Sequence, residues 1–183
     1  MIPMSRVDLV HNKDIRGESA ERFARIHETF GVVPNMFKAV ANSPAALAGM
    51  WGFFGALGEG VLGARIGEQI AVAVADRNRC DYCLSAHTLL GRKAGVTAEE
   101  LAQAQKGTSH DPRTAAILAL ATALVDHRGQ VEAEVISDAR EAGLTQEEIV
   151  ETIAHVALNL FTNYVNVALD VPVDFDRVPL TGA

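Results

Sequence analysis

Ala64-Arg65-Ile66-Gly67-Glu68-Gln69-Ile70-Ala71-Val72-Ala73-Val74-Ala75-Asp76-Arg77 admits two readings, strand or helix. Its length and its alanine content favour a buried helix, because alanine loses little on entering a helix and strands are shorter. Asn78 to Asp81 then turns the chain, and a further helix is expected from about Tyr82 to Lys93, closing at Gly95. Thr97-Ala98-Glu99-Glu100 opens another, with an acidic first turn suited to the helix dipole.

The same signals extend outward in both directions. Residues 1–16 read as irregular, Ser19 to Phe30 as a helix ending at Gly31, and Val32-Val33-Pro34-Asn35 as a turn before a short helix from Met36 to Ala41. Asn42-Ser43-Pro44 supplies a cap and a first-turn proline for a helix over about Ala45 to Leu57, carrying Trp51, Phe53 and Phe54. Beyond the centre, helices are expected from Pro112 to about His127, from about Glu132 to Glu141, and from Thr145 to about Asn166, before an extended tail with Pro172 and Pro179. At 183 residues, 49% apolar and only 5% aromatic, the chain suits one all-α domain. Its parts are N-terminal helices over 17–60, a first repeat over 64–106, a second over 112–166, and a tail over 167–183.

The repeat emerges when residues 65–101 are laid over 113–149 without gaps. Arg65 matches Arg113, Gly95 matches Gly143, Thr97 matches Thr145, and Glu100 matches Glu148. Glu68, Cys80, Cys83 and His87 fall opposite Ala116, Arg128, Val131 and Val135, which cannot do the same chemistry. A scaffold duplicated once, with a site in one copy, is the expectation.

Several function classes are excluded by charge and pattern. The net charge of −7 with scattered Lys and Arg leaves no patch for nucleic acid. The start, Met1-Ile2-Pro3-Met4-Ser5-Arg6, lacks a basic head and apolar core, and no apolar run reaches spanning length, so no membrane is expected and a cytoplasmic location is. Gly58-Glu59-Gly60-Val61-Leu62-Gly63 matches a dinucleotide fingerprint but lies between helices with no strand before it, and reads as an interhelical loop. No flavin, nicotinamide or haem motif is present, so no cofactor is expected.

The chemistry concentrates in Cys80-Asp81-Tyr82-Cys83-Leu84-Ser85-Ala86-His87. In a reducing cytosol two cysteines three positions apart point to catalysis or metal binding more than to a structural staple. At about 100° per residue, Cys80, Cys83 and His87 share one helix face. Cys80 at a helix N-terminus would be stabilised as a thiolate, whereas His87, one turn beyond Cys83, could take that thiol's proton. Glu68 is the candidate carboxylate for the other imidazole nitrogen, with Arg65 and Arg77 as competing partners. A zinc site of Cys80, Cys83, His87 and Glu68 has the right ligand types but not the usual two separated clusters.

This pattern, with Val33-Pro34-Asn35-Met36-Phe37, Asn42-Ser43-Pro44 and Asn163-Tyr164-Val165-Asn166, resembles the alkylhydroperoxidase D (AhpD-like) branch of the carboxymuconolactone decarboxylase family. The resemblance implies an all-helical fold, a homo-oligomer, and a peroxidase cycle. In that cycle Cys83 attacks a hydroperoxide, Cys80 resolves the sulfenic acid to a disulfide, and His87 and Glu68 relay protons. It further implies a dithiol donor, such as a lipoyl-bearing or thioredoxin-like protein. The peroxidase members carry a histidine between the cysteines, where this chain has Tyr82. The family's other branch implies lactone decarboxylation by a His/Glu pair without cysteines, and a redox-sensing or metal-binding oligomer is a third class.

On the last helix His155, Asn159 and Asn163 recur at four-residue spacing, a polar stripe that could line the site or a subunit interface, or face solvent. Trp51, Phe53 and Phe54 suit core or interface packing. His11, His27, His110 and His127 are expected in solvent.

Overall fold

The computed structural model describes residues 5–182, so Met1 to Met4 of the irregular N-terminal segment and Ala183 of the tail lie outside the described residues. Among the described residues there are nine helices and no strand. These are α1 (Glu18–Phe30), α2 (Asn35–Val40), α3 (Pro44–Gly58), α4 (Gly63–Arg77), α5 (Asp81–Lys93), α6 (Ala98–Gln105), α7 (Pro112–Asp126), α8 (Ala133–Glu141) and α9 (Gln146–Leu169).

The opening ambiguity is settled by position. α4 is the central helix, packed against α5, α6, α7 and α9. Ile70, Val72, Val74 and Ala75 have no exposed surface, so valine alternates with alanine because every side of the helix is covered. Each buried valine or isoleucine contributes about 1.5–3 kcal/mol, and the alanines let neighbouring backbones approach. Ser43 caps α3 by accepting the Ala46 N–H at 3.2 Å, with Pro44 in the first turn. α9 runs three residues past Asn166, to Leu169, because no glycine or proline interrupts it, and ends where Asp170 turns left-handed at φ 51°.

Matching devices recur 48 residues apart. Thr97 and Thr145 each form a capping box with the glutamate three residues on. Gly95 and Gly143 take left-handed φ values of 81° and 90°, which a side chain would resist. Arg65 pairs with Glu100, and Arg113 pairs with Glu148.

The C-terminal tail crosses the start of α5. Asp174 accepts the Asn35 N–H at 2.9 Å, Arg177 meets Asp81 at 2.8 Å, and the Val178 N–H donates to Ser85 Oγ at 3.0 Å. Thr181 donates to Asp76 through its N–H and its hydroxyl. Phe175 packs edge-on against Tyr82, with centroids 5.5 Å apart.

Candidate active site

Cys80 is the N-cap of α5, delivered by a sharp turn in which Arg79 adopts φ 56°. Its Sγ accepts the Cys83 N–H at 3.2 Å, so the first cysteine occupies the place where helix ends leave donors unsatisfied. The two cysteines are joined as a disulfide, their Cα atoms 5.3 Å apart. Both are almost wholly buried, at 1% and 2% exposure.

His87 lies one turn beyond Cys83, and its Nδ1 is 2.8 Å from Glu68 Oε2. Gly91 makes room for Leu101 of α6, since a Cβ there would meet that side chain at 2.8 Å, while the Glu68 Cβ would lie at an ordinary 3.6 Å. The competing partners are engaged elsewhere: Arg65 binds Glu100 and the Gly95 carbonyl, and Arg77 lies 3.6 Å from Asp126. An ionised carboxylate only accepts, so Nδ1 of a neutral His87 carries the proton and Nε2 is the basic nitrogen.

His87 separates two cavities. The first, about 50 Å³, is lined by Cys83, His87 and Asn166 among Met36, Phe37, Phe54 and Phe175. The second, about 130 Å³, is lined by Glu68, His87, His155 and Asn159, with Gly67, Phe54 and Leu158. Thus the sulfur lies on one side of the imidazole and the carboxylate on the other.

Asn166 was not singled out by its spacing, yet its Nδ2 donates to Cys83 Sγ at 3.1 Å. It follows the polar stripe by three residues, and that continuation was the available signal. The stripe itself is neither solvent-facing nor free to form an interface, because α9 packs against α3, α4 and α7: His155, Asn159 and Asn163 are 9%, 4% and 0% exposed. Asn163 instead accepts from Asn78 Nδ2 at 2.9 Å, steadying the turn before Cys80. Asn159 donates to the His155 carbonyl at 2.9 Å. His11, His27, His110 and His127 are exposed, as is Phe53, while Trp51 and Phe54 are partly buried against the core.

Tyr82 lines the first cavity, and its hydroxyl accepts the Met36 N–H at 3.1 Å. Burial, reinforced by the Asp174 charge, pushes its phenol far above the usual range, so it holds its proton at neutral pH. Burial lowers the pKa of His155, against the opposing pull of Glu151 and Glu68.

The glycine-rich loop does bind an anion, but one from within the chain. The Val61 and Leu62 N–H groups donate to Glu151 at 2.9 and 2.8 Å, and a Cβ on Gly60 would collide with that carboxylate. Among the described residues no three His, Cys, Asp or Glu side chains converge as metal ligands. The four-residue zinc arrangement is replaced by a disulfide and a separate His87–Glu68 pair.

Residues 44–109 match the sequence profile of the carboxymuconolactone decarboxylase family. That segment carries the family's sequence signature. The matched segment contains Glu68, Cys80, Cys83 and His87, whereas His155 and Asn166 lie outside it. Among curated proteins none matches this chain. Its fold is that of an alkylhydroperoxidase AhpD core, an uncharacterized peroxidase-related protein from Ralstonia eutropha JMP134, with 24% identity, TM-score 0.83, and coverage of 94% of this chain and 93% of that one. An uncharacterized peroxidase-related protein from Silicibacter sp. TM1040 is similar at 24% identity and TM-score 0.80, over 97% and 94% of the two chains. The debrominase Bmp8 is similar at 20% identity and TM-score 0.74, over 86% of each. Among the described residues no helix is long and apolar enough to cross a membrane.

Proposed function

We propose that this chain is a thiol-dependent oxidoreductase that reduces peroxides through a Cys80–Cys83 couple, with His87 and Glu68 moving protons. The observation that carries the reading is that Cys83 and His87 line one cavity while Glu68 holds the far nitrogen of His87 at 2.8 Å. Cys83 is the attacking residue, because it reaches the cavity and Asn166 can stabilise its thiolate. Its sulfur takes the terminal oxygen of the peroxide as the O–O bond breaks, and the leaving alkoxide receives the proton held by His87. Cys80 then displaces water from the resulting sulfenic acid, forming the disulfide. A donor dithiol, on a lipoyl-bearing or thioredoxin-like carrier, restores both thiols by exchange and is itself oxidised.

The reading includes a cytoplasmic location and a homo-oligomer. An edge of α9 supports the latter, for Val150, Ile153, Phe161, Tyr164 and Val167 are all exposed along it. The His87–Glu68 pair alone favours a second reading, lactone decarboxylation by proton transfer. Peroxide consumption with dithiothreitol separates the two: activity should fall to background in both Cys80→Ser and Cys83→Ser. Full activity in the doubly substituted protein would overturn the thiol reading.

A further inference from the structure

Glu68 meets His87 on one side and the second cavity on the other, and that cavity contains no sulfur. His155 forms its opposite wall. The imidazole lies against Gly67, so closely that a Cβ there would come within 2.8 Å of Cε1. Its Nε2 is buried without a hydrogen-bond partner among the described residues, and the nearest carboxylate among them, Glu151 Oε1, is 4.0 Å away. Leaving such a nitrogen unsatisfied costs about 1–3 kcal/mol. Water claims about 30 Å³ in the liquid, so this cavity of about 130 Å³, mainly apolar but with Glu68, His87, His155 and Asn159 in its wall, has room for a short chain of molecules between His155 and Glu68.

Resting on the dithiol reading above, we propose that His155 is a relay residue acting through Glu68: water in the second cavity passes protons between His155 and the Glu68–His87 pair, and so to the sulfurs. Reduction of the disulfide shows what such a path would serve. Breaking the S–S bond takes two electrons and two protons. The donor dithiol supplies the electrons by exchange and releases its own protons to solvent. Cys80 and Cys83 are 1% and 2% exposed, so an internal route for their protons spares them dependence on bulk water.

The groups facing His155 are Glu68 from α4, His87 from α5 and Glu151 from its own helix, while α3 presents only the uncharged Phe54, Leu57 and Gly58. Burial keeps the His155 ring neutral at neutral pH, a state that accepts a proton at one nitrogen as it releases one at the other.

The test is single-turnover reduction of the disulfide by excess dithiothreitol in the full chain, across about pH 5–9, for wild type, His155→Ala and His155→Gln. Thermal denaturation of each variant accompanies it. Both variants should be slower by about 100-fold, the lower end of what a lost proton-transfer group costs, with flattened pH profiles. Added imidazole should restore His155→Ala, which has space for it, and not His155→Gln. A wild-type rate and pH profile in His155→Gln would overturn the inference. So would equal slowing at every pH without rescue, the mark of a merely structural role. A wild-type disulfide that dithiothreitol cannot reduce would instead overturn the oxidoreductase reading.

Discussion

Asn166 donates its amide to Cys83 Sγ at 3.1 Å, from a position 83 residues further along the chain. A donor beside sulfur favours the thiolate over the thiol. Hydrogen bonds to charged groups contribute about 1.5–3 kcal/mol, so Asn166→Leu should slow alkylation of Cys83 near neutral pH. The pH dependence of alkylation, followed by mass spectrometry on the reduced protein, reads this directly. An unshifted profile would remove Asn166 from the chemistry.

Glu68→Gln keeps the shape of the pair and removes its charge. Among the described residues Glu68 makes no other ion pair, so the fold should persist while peroxide turnover falls by about 100-fold, the lower end of what general acid–base groups contribute. Steady-state kinetics beside circular dichroism checks both halves of this expectation. Loss of turnover accompanied by loss of helix would point to a structural carboxylate.

Gly67 and Gly52 should respond oppositely to alanine. At Gly67 the added carbon meets the His155 ring at 2.8 Å, and forcing the ring aside should cost about 1–3 kcal/mol. At Gly52, within α3, nothing lies within 4 Å, and replacing a helical glycine should gain about 0.5–1 kcal/mol. Urea denaturation of the two variants measures the difference, and equal midpoints would contradict the packing.

Asp76 ties the tail to α4, and its pKa is lowered: burial works to raise it, but hydrogen bonds from Thr181 and Gln105 outweigh that. A depressed carboxylate adds stability that is fully present above the unfolded value, about 4, and is lost as pH falls through the folded one. The urea midpoint of wild type should therefore drop below about pH 4. Asp76→Asn should be less stable at pH 6 and lose less on acidification.

How much of this was legible in the sequence depended on distance along the chain. Glu68, Cys80, Cys83 and His87 lie on two consecutive helices joined by a short turn, so helical periodicity brought them together before any tertiary contact was known. The competition between His87 and Arg65 for Glu68 was not decidable that way. It turns on Arg65 reaching Glu100, 35 residues on, through the α6 cap. The four-residue spacing of His155, Asn159 and Asn163 fixed a common face but not its direction, since an interior polar stripe and a solvated one have the same period. Asn166 stands in the quoted Asn163–Asn166 motif but its role is not legible there, for a related reason: an asparagine near a helix end reads as a boundary, and the helix continues to Leu169.

Glu151, clasped by the amides of Val61 and Leu62, gives the Gly58–Gly63 segment a permanent internal ligand. A carboxylate tethered to α9 already occupies these two donors, so Gly60 serves to seat one helix upon another.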